Sequence, residues 1–187
     1  MTVKAKLPPF EALYPLPVVL LTCRDDKGKS NFMTVAWVGI VSSDPPQLSV
    51  SVRPSRYSYS ILEKAGYFVV NVPNVAILEK VDRAGCISGR DVDKWKEIGL
   101  TPMPSDLAGA PLIAECPVNI ECKTRQYLSL GAHDMFIGKI LSVHANKDIL
   151  DADGSVNFAK AQPFVFNHGE YWSLGQKIGG FGMSKKN

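Results

Sequence analysis

The sequence predicts a mostly β fold with short helices, an antiparallel barrel or sandwich forming one domain over residues 1–187. Three observations carry this expectation. About six or seven segments show strand-like apolar runs or the two-residue alternation of a half-buried strand. Only two or three helical segments intervene, and no regular strand–helix–strand rhythm links them. The composition is globular, with 45% apolar and 21% charged residues in a chain of 187. A chain of this size can bury roughly 70% of its unfolded surface and needs no cross-links.

The elements follow in order. Val18–Cys23 is an apolar run, and Asp25-Asp26-Lys27-Gly28 behind it has hairpin-turn chemistry. Ser30–Val41, rich in β-branched and aromatic residues, reads as one long strand ended by Asp44-Pro45-Pro46. Gln47–Val52 alternates polar and apolar residues. A helix then starts with the capping-box pattern Ser60-Ile61-Leu62-Glu63, or with Ser58 as the cap, and Gly66 stops it. Tyr67–Val72 is a strand closed by Pro73, and Val75–Ala84 is helical up to Gly85.

The glycine- and proline-rich stretch Cys86–Pro111 reads as an ordered loop or small lobe with a helical turn around Val92–Ile98. Alternation returns at Val118–Lys123. Met135–Val143 is a further strand, whose Gly138 marks a bulge or a close backbone approach. Asp151-Ala152-Asp153-Gly154 is a turn that lacks the later ligands of a calcium loop. Phe164–Phe166 is the expected last core strand. From Gly175 the tail carries Ile178, Phe181 and Met183 among glycines, so it is irregular or wrapped on a neighbour.

Several function classes are excluded as expectations. The net charge of +3, with Lys and Arg scattered apart from short groups such as Lys185-Lys186, gives no footprint for nucleic acid. The longest continuous apolar run, Val35–Val41, is far short of the ~20 residues of a membrane helix. No secretory signal is expected, because prolines interrupt the apolar stretch behind Lys4 and Lys6. Cys23, Cys86, Cys116 and Cys122 match neither a zinc nor a Cys-x-x-Cys redox spacing, so they read as reduced thiols of a cytoplasmic protein. Rossmann, Walker and nucleophile-elbow motifs are absent. The three histidines, His133, His144 and His168, are scattered, and no metal site is expected.

Three clusters can carry chemistry. In Asn31-Phe32-Met33-Thr34-Val35-Ala36-Trp37, amide and hydroxyl groups alternate with apolar residues, so one face could meet ring heteroatoms while the other packs. The same residues also fit an ordinary strand with a buried Trp. Arg53-Pro54-Ser55-Arg56-Tyr57-Ser58 leads into a helix, where guanidiniums, hydroxyls and free N–H groups can hold a phosphate. A capped helix with solvated arginines is the other reading. Cys86-Ile87-Ser88-Gly89-Arg90-Asp91-Val92-Asp93-Lys94 offers a glycine for close approach and a lysine as a point charge.

Together these clusters, with Asp44-Pro45-Pro46, Asn71-Val72-Pro73, His133 before Phe136-Ile137-Gly138, and Tyr171-Trp172-Ser173-Leu174-Gly175, resemble the flavin reductase-like family. The matches occur in the family's order from about Pro15 onward. The family includes NAD(P)H:flavin oxidoreductases and flavoredoxins. The resemblance implies an FMN-binding split β-barrel of Greek-key type, usually a homodimer. It implies FMN contacts from Asn31, Met33, Thr34, Val35, Ala36 and Trp37 along the isoalloxazine ring. Arg56, Tyr57 and Ser58 would lie at the phosphate, with Ser88, Gly89 and Lys94 closing over the ribityl phosphate, and Arg53, Asn71 and Cys86 complete the implied cofactor set. His133, the candidate catalytic residue, would lie near the ring or the nicotinamide.

Two departures stand out. Gly131-Ala132 precedes His133 where the family often has an acid, and Lys139 replaces a common Glu. The function the resemblance implies is electron transfer through FMN, with NADH or NADPH as donor and free flavin or a redox protein as acceptor. The alternative is a flavoredoxin-type carrier that holds FMN tightly and has no NAD(P)H reductase activity.

Overall fold

In the computed structural model, which describes residues 2–185, Leu16–Pro17 (β1) leads into a hairpin of Val19–Arg24 (β2) and Ser30–Val35 (β3). Lys186, half of the expected basic pair at the tail, lies outside the described residues. Asp25 closes the β2–β3 turn by accepting the N–H groups of Lys27 and Lys29 at 3.0 and 2.8 Å. Gly28 takes φ 83° there, a conformation that side chains disfavour.

The single strand expected over Ser30–Val41 is two strands. Ala36 and Trp37 form a bend, and Val38–Ser43 (β4) leaves to pair with Pro46–Val52 (β5). Strand propensity reports a pleated, half-buried surface and not the partner strand, so a change of partner leaves no mark in an apolar run. In β5 the alternation holds, with Leu48, Val50 and Val52 buried and the serines between them half-buried.

Helix α1 (Tyr57–Ala65) starts before the expected capping box. Its N-cap is Arg56, which has no side-chain cap. Neither serine caps it: Ser58 Oγ is taken by Asn31 Nδ2 at 2.8 Å, and Ser60 Oγ turns back to the Tyr57 carbonyl. Gly66 ends the helix at φ 67°. Tyr67–Val72 (β6) follows, then a 3₁₀ turn and helix α2 (Leu78–Cys86), which runs through Gly85. Helix α3 (Lys94–Ile98) is capped by Asp93, whose carboxylate accepts the Trp95 N–H at 3.1 Å.

Pro102–Met103 (β7) and Leu112–Ile113 (β8) make a small ribbon. Val118–Ser129 (β9) and Asp134–Ala145 (β10) form a hairpin longer at both ends than the alternation marked. At Gly138 its register shifts, and an added Cβ would meet the Phe68 ring at 2.5 Å and Cys122 Cβ at 3.1 Å. Both roles expected of this glycine are present.

After helix α4 (Phe158–Ala161), Phe164–Asn167 (β11) is not the last strand. It pairs with Glu170–Ser173 (β12) and with β1 in a separate three-stranded sheet. The Asn167–Glu170 turn uses His168 and Gly169, both at positive φ, and His168 is not a usual turn residue.

The main sheet has the order β3-β2-β6-β9-β10-β5-β4, with every pair antiparallel. It is curled but not closed. Its edges, β3 and β4, are consecutive in the chain yet not paired with one another, so the barrel is split at Ala36–Trp37. Val50, Leu62, Phe68 and Phe136 fill the interior, while Phe32, Val81 and Ile98 pack α2 and α3 onto the outer side. No helix among the described residues is long and apolar enough to cross a membrane.

Candidate functional site

Along β3, Phe32 and Val35 are buried in the two cores. Asn31 and Thr34 are bonded to the flanking helices: Thr34 Oγ1 donates to the Val81 carbonyl of α2 at 2.5 Å, and Asn31 Nδ2 donates to Ser58 Oγ of α1. Two hollows meet along this strand, and Met33, Thr34 and Arg56 line both.

The first hollow, of about 250 Å³, lies between the start of α1, the end of α2 and the loop to α3. Arg56, Tyr57 and Ser58 form one wall, Cys86–Asp91 the other, and Lys94 the floor. The first turn of α1 has no side-chain cap and no acidic residue. The Tyr59 N–H turns back to the Arg56 carbonyl, which leaves the Tyr57 and Ser58 N–H groups and the helix dipole beside the hollow without a side-chain partner. Ser58 Oγ accepts from Asn31 Nδ2.

Lys94 is only 4% exposed. Its ammonium donates to the Ala84 carbonyl at 2.6 Å, and no carboxylate pairs with it among the described residues. Burial, with the Arg56 charge adding to it, lowers its pKa to about 8. Gly89 allows the loop to close. A Cβ there would lie 2.7 Å from Asn31 Cγ and 3.0 Å from the Tyr57 ring. The loop is braced internally by Ser88, whose carbonyl accepts from Asp91 and Val92 and whose Oγ accepts the Arg90 N–H at 3.2 Å.

The second hollow, of about 170 Å³, is lined by Val35, Ala36 and Trp37 from one edge and Ser51, Val52, Arg53 and His133 opposite. Trp37 is 38% exposed and not a core tryptophan. Its ring lies 4.0 Å from the His133 ring at 45°. Arg53 Nε donates to His133 Nε2 at 3.3 Å. Burial, then the charges of Arg53 and Arg56, lower the His133 pKa, so the ring is neutral near pH 7 with its proton on Nδ1.

The cleft therefore joins a cationic pocket with many donors to a flat slot walled by backbone, indole and imidazole. It can take an anionic group at one end and a planar ring at the other. The structure brings to it every residue the sequence singled out except Asn71. Asn71 is fully buried and its amide is consumed by the fold. Nδ2 donates to the Leu20 carbonyl at 2.9 Å, and Oδ1 accepts from Ile113 N and Asn119 Nδ2 at 3.0 and 2.8 Å. A buried amide must satisfy both ends, and this one clamps β6 to its neighbours and lines neither hollow.

Ser55, Arg90 and Asp91 also line the first hollow. They lie inside the motifs already singled out and are found once the loop is known to close. A different polar centre had no sequence signal. Fully buried Glu121 accepts N–H groups of Asp106, Leu107 and Ala108 at 3.2, 2.8 and 2.6 Å and bonds His144 Nε2 at 2.6 Å. Burial opposes its ionisation, but these bonds outweigh it and hold the carboxyl below its ordinary pKa.

Comparison with known proteins agrees with this picture. The family model for the flavin reductase like domain matches residues 11–175. A protein of Archaeoglobus fulgidus, itself uncharacterised, is 35% identical over 149 residues, covering 80% of this chain and 83% of its own. Among solved structures, flavoredoxin of Desulfovibrio vulgaris superposes with a TM-score of 0.91 at 32% identity, over 98% of this chain and 100% of that one. Flavoredoxin of Methanosarcina acetivorans gives 0.91 at 31% identity, over 98% and 97%.

Proposed function

The chain belongs to the flavin reductase like family, a split-barrel fold with flavin-related redox function, and from that premise we propose that it binds FMN in the cleft and transfers electrons from NADH or NADPH. The observation that carries this reading is Lys94, a buried cation with spare donor capacity facing an uncapped helix start. A phosphate monoester carries close to two negative charges at pH 7, and Lys94, Arg56, the Ser58 hydroxyl and the first N–H groups of α1 suit such a group. The slot beside Trp37 and His133 suits the isoalloxazine ring. Asn31, Met33, Thr34, Val35, Ala36, Arg53, Tyr57, Cys86, Ser88 and Gly89 complete the proposed contacts.

When bound, FMN would supply the redox chemistry between a nicotinamide donor and a free flavin or protein acceptor, held by Lys94, Arg56 and Ser58 at its phosphate and by the slot beside Trp37 and His133 at its ring. The residues of this chain orient and screen. Gly89 lets the 86–91 loop close beside Asn31 and Tyr57. Burial first, and then the Arg53 and Arg56 charges, keep His133 neutral, and the two guanidiniums keep the ring end of the cleft positive. No side chain is required to move a proton in hydride transfer, which fits a cleft without an acid–base pair.

The proposed assembly is one domain per chain in a homodimer. Ile178 and Phe181 are 97% and 106% exposed, and a second copy would take such side chains out of water. Light scattering should give twice the chain mass. The free cysteines fit a reducing, cytoplasmic setting.

Anaerobic mixing of the FMN-loaded protein with NADH or NADPH tests the activity. Rapid loss of the visible flavin absorbance is the expected result. No reduction by either nicotinamide, with reduction by an iron–sulfur or haem protein, would replace the reductase by the carrier.

A further inference from the structure

We propose that Tyr59 is a positioning residue that fixes the two hollows of the cleft relative to one another through a closed chain of hydrogen bonds. The inference rests on the FMN reading above. The Arg56 N–H donates to the Arg53 carbonyl at 3.0 Å, and the Tyr59 N–H donates to the Arg56 carbonyl at 3.0 Å. The Tyr59 hydroxyl then reaches from α1 to the start of β10 and donates to Asp134 Oδ2 at 2.5 Å. Asp134 is bonded covalently to His133, and Arg53 Nε returns to His133 Nε2 at 3.3 Å. The circuit passes through the anion end at Arg56 and the ring end at Arg53 and His133.

Asp134 gives the circuit its strength. It is 5% exposed, and Tyr59 is the sole side chain bonded to its carboxylate among the described residues. A buried carboxylate depends on such a donor, because its desolvation is otherwise uncompensated. The bond in turn pushes the Tyr59 hydroxyl pKa up to about 12. His133 sits at the tip of the β9–β10 hairpin, where the Leu130 N–H donates to its carbonyl at 3.1 Å. Beyond that turn the ring is held by Arg53, by Trp37 and by the neighbouring Asp134 anchor. The Tyr59 ring packs on Phe136 at 5.6 Å, so removing the hydroxyl alone leaves the apolar packing in place.

A two-ended ligand gains affinity when both of its sites are held at the right separation, and loses that gain when they are not. Each end alone does not depend on the separation. Tyr59→Phe should therefore weaken FMN about tenfold, while riboflavin and inorganic phosphate each change by less than about twofold. In the flavin-free protein, the His133 Nε2 resonance should move as the Arg53 bond loosens. Asp134→Asn keeps an acceptor oxygen for the hydroxyl and should stay near the parent's FMN affinity.

If Tyr59→Phe does not fold because Asp134 is orphaned, the double variant Tyr59→Phe/Asp134→Asn removes the charge and should show the same ligand pattern. Equal weakening of all three ligands, FMN affinity equal to the parent's, or an unmoved His133 resonance overturns the proposal. A parent that does not bind FMN sinks the reading of the cleft instead. The His133 resonance, which needs no flavin, still decides for or against the hydrogen-bond chain.

Discussion

Glu121 and Lys94 are both buried charges, and the protein treats them in opposite ways. Glu121 is surrounded by donors: three consecutive backbone N–H groups and His144 saturate its carboxylate. Lys94 has one carbonyl partner and a hollow in front of it, with a guanidinium and an uncapped helix start nearby. The first is a finished piece of architecture that ties the 106–108 loop to β9. The second has no carboxylate paired with it among the described residues and shares its sign with nearby Arg56, which lowers stability unless an anion arrives. A buried charge satisfied by the fold holds the fold together; one left with spare donors at a cavity marks a ligand.

The largest expected effect follows on the Glu121 side. Glu121→Leu strips three N–H groups, the buried one of Ala108 among them, and His144 of their acceptor. It should cost about 3–5 kcal/mol, a fall in Tm on the order of 10 °C for a domain of this size. Thermal unfolding of the flavin-free protein checks it. The opposite sign is expected at Lys94. Replacing a buried unpaired charge by an apolar group of similar length is neutral or stabilising, by up to about 4 kcal/mol, so Lys94→Met should leave the Tm of the flavin-free protein unchanged or raise it. A Lys94→Met protein that unfolds like Glu121→Leu would erase the contrast.

The pH dependence separates the two regions with smaller effects. The Glu121 carboxyl is held below its ordinary pKa, so its stabilisation is present above the unfolded value and is lost as pH falls through the folded one. Lys94 titrates at about 8 in the folded chain against 10.5 for the free side chain, so between these values the unfolded state binds more protons. Flavin-free stability should then rise with pH across that window, provided other groups do not titrate more strongly. FMN affinity should fall over the same window, because binding the phosphate requires the protonated ammonium. Riboflavin affinity should stay flat. Melting curves and flavin fluorescence titrations from pH 7 to about 10.5 read both.

Much of the cleft was legible because its residues cluster in sequence. Asn31–Trp37, Arg53–Ser58 and Cys86–Lys94 are each continuous, and the close approaches at Gly89 and Gly138 follow from the lack of a Cβ. What escaped is non-local. The break at Ala36–Trp37 has no turn residue, since the strand simply changes partner. Asn71 sits in a family-like motif, yet its amide bonds groups from three other segments that no local pattern reveals. Glu121–His144 and Tyr59–Asp134 are separated by 23 and 75 residues, so each pair exists only once the sheet register is fixed. Helix α1 starts at Tyr57, ahead of both candidate cap serines, and the nearer one, Ser58, is bonded by Asn31 from the distant β3, a contact that no local pattern reveals.

The most direct test of the central claim is calorimetric titration of FMN and riboflavin into the parent, Lys94→Met and Arg56→Ala proteins. A hydrogen bond to a charged group contributes about 1.5–3 kcal/mol, so each substitution should weaken FMN roughly ten- to a hundredfold and leave riboflavin within about twofold. Equal losses for the two ligands, or an undiminished affinity for FMN, would contradict a phosphate held by Lys94 and Arg56.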